Sequence, residues 1–297
     1  MTVHAELVVL PPDEWRARAD AHAARADALT AGHRARRARG ERHAIEDFLY
    51  EYYAAKPAQL RRWHPGAGVA LEAGPGGPPP HAAWRWYRTD DDGRTSVDTA
   101  TWSDERGDTA RYVRSLLTAT AARPAATGCF GLHEWAMVYR QDTHRHPLPL
   151  RLGGAGTDAV VEGHRIRCTH FDAFRFFTPA AVGRNTLQPT RTTQPSLEQP
   201  GCLHAAMDCY KWALKLGPLV PGELLLDCFE LATEIRYADM QASPYDVSSY
   251  GLEAIAIETP EGKAEYVRRQ RSFATRSNGL RARLLAVCAD AAALTSR

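Results

Sequence analysis

Two consecutive segments late in the chain carry the pattern that most restricts its fold. From Cys202 to Leu216, His204, Asp208, Lys211 and Lys215 recur at i, i+4, i+7 and i+11, beside an apolar stripe of Leu203, Met207, Tyr210 and Leu214. Pro221 opens a second segment with Glu223, Asp227, Glu230 and Glu234 at the same spacing, and Leu224, Cys228, Leu231 and Ile235 form its apolar stripe. Both patterns have the period of a helix with one face in a core. The short link through Gly217-Pro218 makes the two helices antiparallel neighbours. Most of their charges are expected in a solvated seam of lysines against carboxylates, where each pair contributes only about 0–1 kcal/mol.

Helical periodicity extends to much of the rest. Pro12 to Arg39 reads as an alanine- and arginine-rich surface helix, and His43 to Leu60 as an amphipathic one presenting Ile45, Phe48, Leu49, Tyr52 and Tyr53. The Gly/Pro-rich stretch from His64 to His81 is a loop. Trp84 to Trp102 alternates around Asp92-Gly93, which predicts a hairpin. A helix is expected over Asp104 to Thr120 and a second β element over Leu148 to Asp172, where VVEGHRIRCTH alternates with period two. Proline at the first position after Thr259 starts a long C-terminal helix. The expected fold is α+β, predominantly helical with a small antiparallel β element. Residues 1–40 would form a basic N-terminal surface helix and 41–297 a single, mainly helical catalytic domain.

A formal net charge of +2 demands no nucleic-acid partner, although His33 to Arg42, HRARRARGER, is locally basic. No GxxxxGK[ST], GxGxxG, GxSxG or HExxH motif occurs, which weighs against P-loop, Rossmann and serine-hydrolase chemistry. Without a leader pattern or an apolar run of about 18 residues, the chain is expected to be cytoplasmic with no membrane partner. Its six cysteines form no CxxC pair and read as reduced thiols.

Polar chemistry is densest between His164 and Asp208, through Cys168, His170, Asp172, Arg175, Glu198, Cys202 and His204. On a strand, His164, Ile166, Cys168, His170 and Asp172 would share one face. Such a line splays metal ligands too far apart to enclose an ion unaided, so another element would have to complete a site. In a metal reading, iron or zinc would sit among His164, His170, His204, Asp208 and Glu230. The Glu-x-x-His spacing of carboxylate-bridged iron sites is missing from the helical pair.

The segments Arg42–Gly66, Gly131–Arg140 (GLHEWAMVYR), His164–Ala181, Glu198–Pro218 and Asp239–Asp246 (DMQASPYD) resemble a group of high-GC bacterial proteins commonly labelled 3-methyladenine DNA glycosylase. The resemblance implies excision of alkylated bases from double-stranded DNA; it commits to no cofactor, iron or zinc belonging to the alternative metal reading. GPLVPGELLLD lacks the second glycine of the helix-hairpin-helix LPGxG signature. Glycosylase chemistry needs a pocket for a flipped base, an aromatic wall, a carboxylate and phosphate contacts. The catalytic candidates are Asp172, His170, His204, Asp208 and Asp239. Trp135, Phe174, Arg175, Trp212 and Lys211 are candidates for the substrate wall, and Arg61, Arg62 and Arg191 for DNA phosphates. A non-catalytic protein binding DNA or another partner through the N-terminal helix is the third expectation.

Overall fold

A computed structural model describes residues 7–295. The protein is predominantly helical, with one small four-stranded sheet. Strand β1 (Val8–Leu10) leads into α1 (Pro12–Ala38), which has proline at its first turn. The expected helix over 43–60 is instead two short ones, α2 (Asp47–Glu51) and α3 (Pro57–Arg61). Pro57 cannot extend a preceding helix, and Ala54 takes a positive φ of 51° to turn the chain.

Strand β2 (Val69–Leu71) follows, and β3 (Tyr87–Thr89) and β4 (Thr95–Val97) form the expected hairpin around Asp92-Gly93. The sheet order is β1-β2-β4-β3, and β1 pairs with β2 in parallel, so the sheet is mixed rather than wholly antiparallel. Helix α4 (Thr99–Ala121) begins earlier than its apolar pattern indicated. Asp98 caps it by accepting from the Thr101 N–H at 3.1 Å.

After α5 (Leu132–Ala136) comes the largest departure from expectation. Gly153–Glu162 is a helix, α6, and residues 148–172 hold no strand. The alternation is real: Ile166, Cys168 and His170 are buried while Arg167 is exposed. What is missing is a partner strand. Its place is taken by a single backbone bridge between Ile166 and Asn185 and by the Asn185 side chain, which accepts from the Cys168 N–H at 2.7 Å and donates to the Cys168 carbonyl at 3.0 Å. The short helices α7 (Phe171–Phe174), α8 (Pro179–Val182) and α9 (Gln194–Leu197) follow.

The striped segments form α10 (Leu203–Leu216) and α11 (Gly222–Ala242), packed on each other and against α12 (Pro260–Thr295), with α4 beside α10 and α12. The charged stripe of α11 does not meet the lysines of α10. Asp227 and Glu230 pair with Arg25 of α1, Asp227 also with Arg283, and Glu234 with Arg276 of α12. Helix α1 is therefore part of the body rather than an appendage. Trp15, His22, Ala26, Thr30 and His33 are its buried face, and His22 Nε2 lies 2.8 Å from the Leu60 carbonyl. No helix among the described residues is long and apolar enough to cross a membrane.

Candidate active centre

Six of the sequence candidates meet in one place: His170, Asp172, Arg175, Arg191, Asp208 and Lys211. His170 occupies the N-cap of α7, where its Nδ1 accepts from the Ala173 N–H at 3.3 Å. That leaves the proton on Nε2, which faces Asp208 Oδ2 at 3.2 Å and Glu198 Oε1 at 3.3 Å. Lys211, one turn along α10 from Asp208, bonds Asp208 at 3.0 Å and Asp172 at 2.6 Å. Arg191 and Arg175 complete the shell of Asp172 at 3.0 and 3.3 Å.

Burial would push the Asp208 carboxyl up, but the Lys211 ammonium and His170 outweigh it and hold it well below the usual carboxylate range. Asp172 is lowered in the same way: burial works against its charge and Lys211 prevails. Glu198 lies farther from the ammonium, and burial raises it. Gln194 Nε2 donates to Glu198, so every acidic group in this cluster has a partner. Asp172, with three cations upon it, is neutralised and unsuited to act as a base.

His204 links this cluster to a second one. Its ring lies 5.4 Å from that of His170 and 4.4 Å, edge to face, from that of His133. His133 and Glu134 lie on α5, which is entered through Gly131 at φ 71°. A Cβ there would meet the Tyr266 ring at 3.3 Å, so a glycine is needed for both conformation and space. Helix α11 contributes Arg236 and, one turn on, Asp239. Arg236 Nη1 bonds Glu134 at 3.1 Å, its Nη2 lies 3.2 Å from His146 Nε2, and its guanidinium stacks on Phe48 at 4.3 Å.

Here the polar atoms are not satisfied. His133 Nε2 lies 3.2 Å from Asp239 Oδ1, close enough for an ion pair but out of line for a hydrogen bond. Arg236 reaches only to 3.5 Å from Asp239 Oδ2. His133 Nε2, His204 Nδ1 and both oxygens of Asp239 are buried without a hydrogen-bond partner. Ligand atoms of His133, Glu134, His204 and Asp239 all lie within 4.8 Å of one another. With Glu134 engaged by Arg236, the free donors are two imidazoles and one carboxylate. The other nitrogen of His133, Nδ1, lies 3.6 Å from Cys129 Sγ, which orients the ring.

Two openings flank the clusters. A cavity of about 340 Å³ is floored by His133 and His204 and walled in part by Cys129, Cys168, Cys202 and Tyr266. On the other side, an open cleft of about 640 Å³ is bordered by Tyr52, Asp172, Arg175, Arg191, Lys211 and Trp212.

Set against protein families, curated proteins and solved structures, the chain matches none of them. What it does has to come from its geometry.

Several candidates lie elsewhere. His164 is tied by Nδ1 to the Val160 carbonyl at 2.6 Å, because the segment before it is the last turn of α6 and not a strand. Glu230 faces Arg25, away from the histidines. Trp135 is fully enclosed in the core and donates to the Ala242 carbonyl at 2.9 Å, so it offers no wall to a ligand. Phe174 is partly buried and packs on Phe177 at the edge of the core. Arg61 pairs with Asp27 and Arg62 lies over Trp84, and neither borders the cleft. Sequence pattern alone does not mark out His133, Glu134 and Arg236 as site residues. The adjacent His-Glu of GLHEW, one residue beyond a glycine, is the available signal.

Proposed function

We propose that the protein is a metal-dependent enzyme acting on a small molecule, with its ion held by His133, His204 and Asp239. The observation that carries this reading is the set of four buried ligand atoms, on His133, His204 and Asp239, that make no hydrogen bond. Each buried polar atom left unpaired costs about 1–3 kcal/mol. The ion pair of His133 with Asp239 at 3.2 Å and the approach of Arg236 to 3.5 Å offset part of this for three of the four, while His204 Nδ1 has no such neighbour. Something must satisfy them. Two imidazoles and a carboxylate suit zinc or iron(II) and leave coordination positions for water or substrate. Such an ion supplies Lewis-acid activation of a bound oxygen, or redox chemistry if it is iron. The His170 cluster, in which every acid already has a partner, has no comparable need.

If this holds, exhaustive chelation should lower the melting temperature by about 5 °C or more, as expected for loss of a ligand present at about a hundred times its dissociation constant. Adding back zinc or iron(II) should restore it. A melting curve indifferent to both treatments would mean that water, not metal, fills the gap.

A second reading, excision of alkylated bases from double-stranded DNA, is favoured by the cleft with its aromatic and cationic border. Its weakness is the neutralised Asp172. Release of free base from alkylated duplex DNA that falls about 100-fold in Asp172→Asn would establish it. The metal reading predicts no release by either protein.

A further inference from the structure

The cavity above His133 and His204 has a lining of one electrical sign. Arg123 and Arg167 border it, and no aspartate or glutamate does. Arg123 spends its Nη1 on two backbone carbonyls, Ala119 at 3.0 Å and Glu198 at 2.9 Å, so its charge meets no carboxylate. Arg167 is exposed and forms no ion pair or hydrogen bond among the described residues. It is held at the rim by the extended segment whose next residue, Cys168, is fixed on Asn185.

A second, independent feature lies deeper. Gln270 of α12 is 1 % exposed and donates its amide N–H to the Gly201 carbonyl at 2.5 Å, which fixes the orientation of the amide. Its Oε1 is then a buried acceptor with no donor, on a residue that lines the cavity. The site therefore presents positive charge at the arginines and a hydrogen-bond acceptor at Gln270. At about 340 Å³ it lies at the small end of the roughly 300–1,000 Å³ typical of small-molecule sites.

We infer that this cavity receives a small organic carboxylate that also carries a hydroxyl or amino group. The carboxylate meets the guanidinium groups of Arg167 and Arg123, and the donor meets Gln270 Oε1. That this acid is the substrate of the centre at the cavity floor rests on the metal reading above. The anion site itself does not.

The test is calorimetric titration of the full, untagged protein, as purified and after chelation, with mandelate, phenylacetate and mandelamide. These probes share a ring but differ in charge and hydroxyl. Mandelate should bind at least about tenfold more tightly than the neutral mandelamide, the effect of roughly one charge-assisted hydrogen bond. Phenylacetate, lacking the donor for Gln270, should be weaker than mandelate. Arg167→Gln should remove most of the preference for acid over amide without moving the melting temperature, because the side chain is exposed. Acid selectivity that persists in the chelated protein keeps the anion site, and only a failure of that protein to take up zinc or iron(II) on reloading discards the metal reading. Equal binding of acid and amide, an unchanged preference in Arg167→Gln, or no binding of any probe to folded protein would overturn the inference, whatever the metal content.

Discussion

Replacing His204 with alanine should lower metal affinity by well over 100-fold while leaving the protein folded. Losing an outer-sphere partner of a metal ligand typically costs 10–100-fold, and loss of a ligand itself exceeds that. His204 Nδ1 has no hydrogen bond to lose, and the side chain is only half-buried at the meeting of two cavities. Truncation therefore breaks little of the fold. Competition between the protein and a chromophoric chelator for zinc measures the affinity, and a melting curve reports folding. Equal affinities for the wild type and His204→Ala would remove this histidine from the centre.

Arg236→Leu should destabilise the protein by about 3–5 kcal/mol at neutral pH, the usual consequence of deleting one partner of a buried ion pair. Burial would raise the Glu134 carboxyl, and Arg236 is the main influence that holds it below the ordinary value. A carboxyl lowered in this way contributes stability above its unfolded value, and that contribution is lost as pH falls through the folded one. Without Arg236 the sign reverses: Glu134 is raised by burial and favours its protonated form. The gap between wild type and variant should therefore narrow as pH falls from 7 towards 5. Glu134→Leu added to Arg236→Leu should recover much of the loss. Urea titrations in the presence of chelator, so that no metal contributes, give the comparison. A difference under about 1 kcal/mol at pH 7 would show that Glu134 is satisfied by other groups.

How much of this was legible in the sequence depended on whether a residue's partner lay within its own periodic stretch. The α10–α11 pair was readable because apolar and charged stripes at helical spacing fix both elements and their inward faces. Which charges meet across the pair was not, since Glu230 and Glu234 find arginines from α1 and α12. The segment 160–172 looked like a strand because its burial does alternate. Period alone cannot say that the partner is one backbone bridge and a single asparagine side chain rather than another strand.

The candidate centre divides in the same way. His170, Asp172, Asp208 and His204 were found through their density along the chain, and they do converge. Asp239 stood out only as an acid beside a turn, and its inward direction follows from its place on α11 one turn after Arg236. His133 and Glu134 lie in a helix of five residues, too short for a periodic signal, in a run that reads as core. They are indeed buried, but as polar groups whose partners lie about a hundred residues away on α11.

The central claim is that His133, His204 and Asp239 hold a metal ion, and elemental analysis of the untagged protein tests it most directly. The measurement is made on protein as purified and again after anaerobic incubation with iron(II) or zinc followed by desalting. The expected result is about one ion per chain in wild type and a small fraction of that in Asp239→Asn, which keeps the side chain's volume and removes its charge. Wild-type protein that remains metal-free after both incubations, with an intact melting curve, would contradict it and leave His133 and Asp239 as a buried ion pair.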